Sequence, residues 1–394
     1  MQKREVVVVS GARTAIGDFG GSLKDQAPSE LAGKLVAEVV RRAAVEPGLV
    51  AHSVFGNVIH SEPADMYMGR VAALKGGLAE HTASLTVNRL CGSGLQAILS
   101  AAQQIELGAC DTAVAGGAES MSRAPYWLQT ARFGQRMGNG ETIDAMTAAL
   151  HCPMEKVHMG VTAENLAEKY GISREDQDAL AVESHRRAQR AIEEGRFQEQ
   201  ILPIELQGRK GPIVFDQDEH VRFDCGVADM AKLKPVFKRE GTVTAGNASG
   251  LNDAAAAVLL MERAKAVAEG REVLGRLVDY SVVGVEPKYM GIGPVPAIRE
   301  ILARSNLSVS DIDLYEVNEA FAAQALAVAR ELELPSERLN PNGSGIGLGH
   351  PIGATGAVVT VKALYELRRI GGRYAMVSLC IGGGQGIAAL FERM

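Results

Sequence analysis

A cysteine at position 91 lies in the segment V-N-R-L-C-G-S-G-L-Q-A, between a strand-like stretch and the start of a helix. The positive end of a helix dipole lowers the pKa of a thiol beside it, so this position favours the thiolate. Gly92 and Gly94 let another backbone or a ligand come close. Taken alone, the motif is compatible either with a nucleophile or with a buried structural cysteine in a tight turn.

A histidine at position 350, in G-L-G-H-P-I-G-A-T-G, offers the usual base for a cysteine nucleophile. A structural loop histidine is the alternative. The glycines before it, G-S-G-I-G-L-G, resemble a dinucleotide-binding fingerprint. That interpretation is weak, because Pro341 interrupts the approach and no acidic residue lies at the end of a strand about 20 residues later.

Two further segments carry chemical groups of interest. Cys380, in S-L-C-I-G-G-G-Q-G, ends a strand-like run, and the glycines after it predict an accessible thiol beside free backbone N–H groups. Such N–H groups can form an anion nest or an oxyanion hole. Asn318, in E-V-N-E-A-F-A, has an amide that could orient a water or a carbonyl. A core cysteine and a capping asparagine are the alternatives.

The elements that must position these groups alternate along the chain. Apolar runs at Val6–Val9, Ala113–Ala115, Leu277–Val283 and Tyr374–Leu379 predict buried strands, and Leu95–Leu107 and Ala357–Arg369 predict helices. This alternation is typical of an α/β protein, and a weak internal repeat suggests two related halves. Residues 121–249 are more charged and predict an insertion over a cleft. Within them, Ser173 is the expected N-cap of a helix that ends before Gly195.

Composition excludes several classes. The chain has 394 residues, 46% hydrophobic and 22% charged, which excludes a disordered chain. A net charge of −6 argues against nucleic acid as a main partner. Five cysteines without a C-x-x-C pair and eight scattered histidines argue against a disulfide framework or a metal site. Because Val6–Val9 is too short for a signal-peptide core, we expect a cytoplasmic protein with reduced thiols.

Together these segments resemble the thiolase family over nearly the whole chain. The resemblance is carried by S-G-A-R-T-A-I-G-D-F-G-G-S-L (10–23), N-R-L-C-G-S-G-L (88–95), A-G-G-A-E-S-M-S (115–122), H-M-G-V-T-A-E-N (158–165), V-T-A-G-N-A-S-G-L-N-D-A-A-A (243–256), M-G-I-G-P-V-P-A (290–297), N-E-A-F-A (318–322), G-H-P-I-G-A-T-G (349–356) and C-I-G-G-G-Q-G (380–386). The pattern at 61–72 is most similar to bacterial β-ketothiolases that supply polyhydroxyalkanoate precursors.

The resemblance implies a five-layered αβαβα fold of two duplicated βαβαβαββ halves with an inserted loop domain. The expected N-terminal half spans 1–120 and is completed by about 250–272. The expected loop domain spans 121–249 and covers the coenzyme A site, and the C-terminal half spans 273–394. The family resemblance also implies a homo-oligomer built as a dimer of dimers, with residues 132–140 in a tetramer contact loop.

The family roles carry over residue by residue. Cys91 would take the acyl group, His350 would remove its proton, and Cys380 would move a proton at the substrate α-carbon or the departing thiolate. Asn318 would hold a water that, with His350, stabilises an oxyanion. The backbone N–H groups of Cys91 and Gly382 would form a second oxyanion hole.

For coenzyme A, the resemblance implies a set of binding residues along the ligand: His158, Met159, Arg222, Phe237, Ser249, Met290 and Phe321. One departure is Asp229, where many relatives carry serine near the adenine. No metal and no prosthetic cofactor are expected, and coenzyme A thioesters would be the substrates.

The implied activity is an acetyl-CoA C-acyltransferase, a β-ketothiolase acting on short 3-ketoacyl-CoAs such as acetoacetyl-CoA and β-ketovaleryl-CoA. One alternative is a degradative 3-ketoacyl-CoA thiolase of fatty-acid metabolism. A decarboxylating ketoacyl synthase would carry a second histidine where this chain has Cys380. A non-catalytic scaffold would have no need of two reactive thiols.

Overall fold

The computed structural model describes residues 4–208 and 210–394. Its strands are β1 (Val6–Arg13), β2 (Gly17–Asp18), β3 (His52–Gly56), β4 (Ala83–Val87), β5 (Thr112–Ser120), β6 (Tyr126–Trp127), β7 (Ile143–Asp144), β8 (His151–Cys152), β9 (Val157–His158), β10 (Ile204–Gly208), β11 (Gly211–Phe215), β12 (Asn252–Glu262), β13 (Gly275–Gly284), β14 (Leu314–Val317), β15 (Tyr374–Ile381) and β16 (Gln385–Glu392).

Its α-helices are α1 (Pro28–Ala43), α2 (Met68–Lys75), α3 (Ser93–Glu106), α4 (Ala145–Ala149), α5 (Met159–Tyr170), α6 (Arg174–Glu193), α7 (Val227–Met230), α8 (Arg263–Ala268), α9 (Pro294–Ser305), α10 (Ala322–Leu332), α11 (Gly345–Leu348) and α12 (Thr355–Ile370). No helix in 4–208 or 210–394 is both long enough and apolar enough to cross a membrane.

A large mixed sheet forms the frame of the molecule, with strand order β14-β15-β16-β13-β1-β12-β5-β3-β4 and with β2 paired to β12. β3 runs parallel to β4 and β5, and β14 runs parallel to β15. β1 and β12 are buried along nearly their whole length. Their runs of valine, alanine and leucine explain this, because a strand covered on both faces needs apolar residues at successive positions.

The helices complete a layered α/β arrangement. α3 and α12 pack against each other and against strands from both ends of the sheet, so they form the central layer. α12 is buried throughout 355–367, which is typical of a helix surrounded by protein. α1 and α2 cover the N-terminal strands, and α9 covers β13 and β16. The α/β class and the five-layered order are confirmed.

The four expected strands all form, and each is longer than the apolar run that predicted it. β13 is the exception in burial, because only three of its ten residues are buried. Its polar residues have partners there: Arg276 pairs with Glu392, and Asp279 accepts from Arg304 at 2.8 Å. The prediction of a fully buried strand at this position was wrong.

Residues 121–251 contribute helices and short strand pairs, and within the described residues none of their strands joins the large sheet. The predicted helix is α6. The Ser173 hydroxyl accepts from the backbone N–H of Asp176 at 3.0 Å, which confirms the N-cap. Gly195 follows the helix with a positive φ of 69°.

Candidate active site

An apolar cavity of about 50 Å³ brings together residues from seven of the segments singled out in the sequence. Its lining is Leu90, Cys91, Ala149, Leu150, His158, Met159, Ser249, Met290, Ala320, Phe321, His350, Ile352 and Gly382. Residues from both ends of the chain thus meet around one thiol and one imidazole.

Cys91 sits in a tight strand-to-helix turn between β4 and α3. Leu90, just before it, has a φ of 45°, a left-handed conformation that a leucine rarely adopts. Ser93 stabilises the turn, since its hydroxyl donates to the Leu90 carbonyl at 2.7 Å and accepts from the Arg89 N–H at 2.8 Å. The turn therefore holds the thiol at the cavity wall at the cost of local strain.

The environment of Cys91 differs from the one the sequence predicted. Burial raises the pKa of the Cys91 thiol, although the backbone N–H groups of Gly382 and of Cys91 itself favour the thiolate. The expectation of a lowered pKa was wrong, because removing the sulfur from water outweighs the helix end. The resting thiol is therefore protonated, and a base is needed to activate it.

His350 follows Gly349 in a turn that only glycine suits, with a φ of 105°. The His350 backbone N–H donates to Asn252 Oδ1 at 2.9 Å, and its Nδ1 lies 2.7 Å from the Thr355 hydroxyl. Burial lowers the pKa of His350 to about 4, so the ring is neutral near pH 7. Its Nε2 has no hydrogen-bond partner among the described residues. A neutral ring with one free nitrogen can accept a proton.

Asn318 and Cys380 come from the same edge of the sheet. β14 and β15 are parallel with Val317 opposite Ser378, and the Asn318 N–H donates to the Ser378 carbonyl at 3.0 Å. Asn318 Nδ2 lies 3.5 Å from His350 Nδ1. Its Oδ1 is unpartnered within the part of the chain that the structure describes. The sheet thus places the carboxamide beside the imidazole.

Cys380 is fully buried, so the expectation of an accessible thiol was wrong. It packs in a cluster with Met159, Met290 and Phe321, which line the cavity. The glycines after it do not expose it, because Gly383 and Gly384, with φ of 85° and 87°, turn the chain into β16. Burial raises the pKa of Cys380 strongly, and the nearby Cys91 sulfur raises it further. The thiol is held in its protonated form.

An aromatic group borders the cavity on the side of α5. His158 caps this helix, since its Nδ1 accepts from the Gly160 N–H at 3.0 Å. The His158 ring stacks on Phe237 with centroids 4.6 Å apart, and Phe237 meets Phe321 edge-on at 6.2 Å. Burial lowers the pKa of His158 to about 4. The neutral rings form an apolar wall.

Arg222 lies elsewhere, in a second and more polar cavity of about 340 Å³. Its lining is His185, His220, Arg222, Cys225, Asp229, Met230, Leu233, Ala245, Gly246, Ala248 and Ile346. Ala248 lines this cavity and the next residue, Ser249, lines the first, so the two cavities are neighbours. Asp229 pairs with Lys232 at 2.9 Å on the exposed rim.

The sequence reasoning missed residues that hold the site rather than line it. Asn252 and Thr355 contact the backbone and the ring of His350, and Glu119 accepts from the Gly353 N–H at 2.9 Å. The motif around His350 includes Thr355, and this spacing was the available signal. Ala149 and Leu150 gave no signal.

All five cysteines are unpaired. Within 4–208 and 210–394, no cluster of three or more histidine, cysteine, aspartate or glutamate side chains could hold a metal ion.

Comparisons with known proteins converge on one family. The family model described as "Thiolase, N-terminal domain" matches residues 6–264, and "Thiolase, C-terminal domain" matches 271–393. The beta-ketothiolase BktB of Cupriavidus necator is 63% identical over 392 residues, which covers 99% of this chain and 100% of that protein. An acetyl-CoA acetyltransferase of Pseudomonas aeruginosa is 47% identical over 392 residues, with 99% of this chain and 100% of that protein covered.

Solved structures agree. The crystal structure of the Bacillus anthracis acetyl-CoA acetyltransferase matches with a TM-score of 0.97 and 48% identity, covering 100% of this chain and 99% of that one. Human mitochondrial 3-ketoacyl-CoA thiolase in complex with CoA matches with a TM-score of 0.96 and 42% identity, covering 99% of this chain and 98% of that one.

Proposed function

The chain belongs to the thiolase family, and on that premise we propose that it is an acetyl-CoA C-acyltransferase. It joins acetyl-CoA and an acyl-CoA into a 3-ketoacyl-CoA and free coenzyme A, and it catalyses the reverse thiolysis. The observation that carries this proposal is the cavity that Cys91 and His350 line together, with Asn318 and Cys380 packed directly behind it.

In the first half-reaction, His350 Nε2 takes the proton of the Cys91 thiol. The sulfur attacks the carbonyl carbon of acetyl-CoA, the bond from that carbon to the coenzyme A sulfur breaks, and the leaving thiolate takes the proton of Cys380. The neutral, unpartnered Nε2 supports the role of base. A base is required because burial keeps the Cys91 thiol protonated.

In the second half-reaction, the Cys380 thiolate removes an α-proton from a second acyl-CoA. The resulting enolate attacks the carbonyl carbon of acetyl-Cys91, the carbon–sulfur bond breaks, and the imidazolium of His350 returns a proton to Cys91. The high pKa of Cys380 suits it to this task, because its thiolate is a strong base.

Negative charge develops on the carbonyl oxygen in each step. The N–H groups of Cys91 and Gly382, which already favour the Cys91 thiolate, would donate to one such oxygen. His350 and a water held by Asn318 would donate to the other. The loss of one oxyanion donor costs about 3 kcal/mol in comparable enzymes.

Coenzyme A would occupy both cavities. Met159, Met290, Phe321 and Ser249 line the inner cavity, where the pantetheine and acyl group would lie. Arg222 lines the outer one, where its guanidinium would stack on the adenine. His158 and Phe237 would form the wall beside the pantetheine chain.

We propose short substrates, with acetoacetyl-CoA and β-ketovaleryl-CoA cleaved and a place in polyhydroxyalkanoate precursor synthesis. The small volume of the inner cavity supports this. A degradative thiolase for longer chains is the second candidate. Thiolysis of four-, five- and eight-carbon 3-ketoacyl-CoAs separates them, since the first predicts high kcat/KM for the shorter two and the second predicts the highest value for the longest.

The covalent intermediate provides the direct test. Incubation with acetyl-CoA followed by peptide mass spectrometry should show an acetyl group on Cys91. Cys91→Ser should abolish both the stable adduct and thiolysis, whereas Cys110→Ser, a matched change of a buried thiol beyond α3, should keep both. A full adduct at position 91 in the serine variant, or full activity without Cys91, would refute the assignment.

We further propose that 121–249 form a loop domain over the coenzyme A site, between an N-terminal half (1–120, completed by 250–272) and a C-terminal half (273–394). The strands of 121–251 support this, because those in the described residues pair only with one another. The protein is proposed to be cytoplasmic, where its five unpaired cysteines would stay reduced.

A homotetramer, as a dimer of dimers, completes the proposal. The segment 126–140 exposes large apolar side chains, and β4 is an edge strand. These side chains are Tyr126, Trp127, Leu128, Phe133 and Met137. Such a patch is typical of a buried contact between subunits. Light scattering should give the tetramer mass, and replacing Phe133 and Met137 by serine should yield dimers; a wild-type monomer would refute the proposal.

A further inference from the structure

The ring of His350 has a neighbour whose role neither the family comparison nor the proposed mechanism assigns. Thr355, the first residue of α12, is buried, and its hydroxyl oxygen lies 2.7 Å from His350 Nδ1. The same oxygen lies 2.9 Å from the carbonyl oxygen of Pro351. The hydroxyl has one proton and two neighbours, so the position of that proton decides the state of the ring.

The oxygen of Pro351 can only accept. Two oxygens 2.9 Å apart without a proton between them repel each other, so the Thr355 hydroxyl donates to Pro351. Its lone pair then faces His350 Nδ1, which must carry a proton to complete a hydrogen bond at 2.7 Å. The proton of the neutral ring therefore sits on Nδ1, and Nε2 keeps its lone pair.

The opposite tautomer would be poorly accommodated. It would place an N–H on Nε2, which is buried and has no acceptor among the described residues. A buried N–H without an acceptor is costly and rare in folded proteins. It would also prevent Nε2 from accepting the Cys91 proton.

We propose that Thr355 is a positioning residue that holds His350 in the tautomer with its proton on Nδ1, so that Nε2 is free to accept the proton of Cys91. The inference rests on the proposed acyl transfer to Cys91. In many other nucleophile–histidine pairs a carboxylate orients the imidazole. Here a neutral hydroxyl, which donates its own proton to a backbone carbonyl, would perform that task.

Asn318 makes the effect of a substitution predictable. Its Nδ2, a donor, lies 3.5 Å from His350 Nδ1. When Thr355 loses its hydroxyl, an Nδ1–H has no acceptor, whereas a bare Nδ1 can accept from Asn318. The ring should therefore move its proton to Nε2. Thr355→Val removes the hydroxyl at nearly constant volume, and Thr355→Ser keeps it.

The test measures the single-turnover rate at which acetyl-CoA acetylates Cys91, near pH 7, by quenching and peptide mass spectrometry. Thr355→Val should lower this rate by about 10- to 100-fold, less than the loss of about 10²–10⁴-fold expected when the base itself is removed, because the imidazole stays in place. The KM for acetyl-CoA should change by less than about twofold, because the hydroxyl does not line the cavity. Thr355→Ser should remain within about threefold of the wild type.

Several results would overturn the proposal. The proposal is wrong if Thr355→Val acetylates Cys91 as fast as the wild type, or if Thr355→Ser is as slow as Thr355→Val. Either result would leave the proposed function intact. A wild-type protein that never acetylates Cys91 would remove both proposals. The tautomer can also be tested without a Thr355 variant, by the nitrogen-15 spectrum of histidine-labelled wild-type protein. With His350→Asn to assign the signal, it should show a protonated Nδ1 at His350, and a protonated Nε2 would refute the inference.

Discussion

Replacing Gly349 by alanine should both destabilise the protein and misplace His350. The residue has a φ of 105° and a ψ of 164°, a region of backbone space that is almost restricted to glycine. A Cβ at this position would lie 2.5 Å from Asn252 Cγ and 2.6 Å from its Oδ1. Asn252 cannot move freely, because it accepts from the His350 N–H at 2.9 Å and donates to the Gly17 carbonyl at 3.1 Å.

The size of the effect follows from these contacts. Backbone strain at such a position costs about 2 kcal/mol. Displacing Asn252 removes at least one buried hydrogen bond, which costs a further 1–3 kcal/mol or so. Alanine also restricts the unfolded chain more than glycine does, which offsets about 0.4–1 kcal/mol of the lost stability. We expect the free energy of unfolding to fall by about 3–4 kcal/mol, and kcat for acetoacetyl-CoA thiolysis to fall by at least about tenfold, since the His350 backbone loses its anchor.

Gly371→Ala is the matched control. Gly371 ends α12 with a φ of 67°, and a Cβ there would meet nothing within 4 Å. It should cost only about 1 kcal/mol of strain and leave kcat unchanged. Urea unfolding followed by circular dichroism gives the free energies, and the loss of acetoacetyl-CoA absorbance gives kcat. Equal destabilisation by the two variants, or full activity of the Gly349 variant, would refute the reasoning.

Three further predictions concern the two thiols and one buried ion pair. Burial raises the pKa of both thiols, so the thiolate fraction of Cys91 should still be growing between about pH 7 and about pH 9. Iodoacetamide should therefore label Cys91 ever faster over this range, and a plateau below about pH 8 would contradict this. Cys380 should stay unlabelled until the protein unfolds. Cys380→Ala should slow carbon–carbon bond formation by about 10²–10⁴-fold and acetylation of Cys91 much less. Rapid-quench assays of the two steps check this, and equal losses would show that its role is misassigned. Asp218→Ala should lower the free energy of unfolding by about 3–5 kcal/mol, because it leaves the fully buried guanidinium of Arg13 without its charge partner. Lys232→Ala, which breaks an exposed ion pair, should leave the urea midpoint unchanged, and similar midpoints for both variants would contradict the prediction.

Local patterns in the sequence were enough to predict the elements. Apolar runs such as Val6–Val9 predicted strands, and the serine at 173 predicted the start of α6, because burial and capping depend on residues only a few positions apart. Motif order also predicted the family. The partial exposure of β13 was not predicted, because its polar side chains form ion pairs with residues far away in the sequence.

The tertiary structure alone decided the electrostatics of the site. A helix N-terminus predicted a lowered pKa at Cys91, yet the partial burial of this residue among distant segments raises the pKa. Glycines predicted an exposed Cys380, yet they turn the chain into β16, and Met159, Met290 and Phe321 pack around the thiol.

The reactive groups of the protein, and the strands and helices that hold them, could be predicted without coordinates, because side-chain identity and short-range periodicity are local properties. Two contacts became visible only in the folded chain: Asn252 accepts from the backbone N–H of His350, and the Thr355 hydroxyl lies beside its ring. Those contacts, and the exclusion of water that fixes each proton, depend on how segments far apart in the chain pack together.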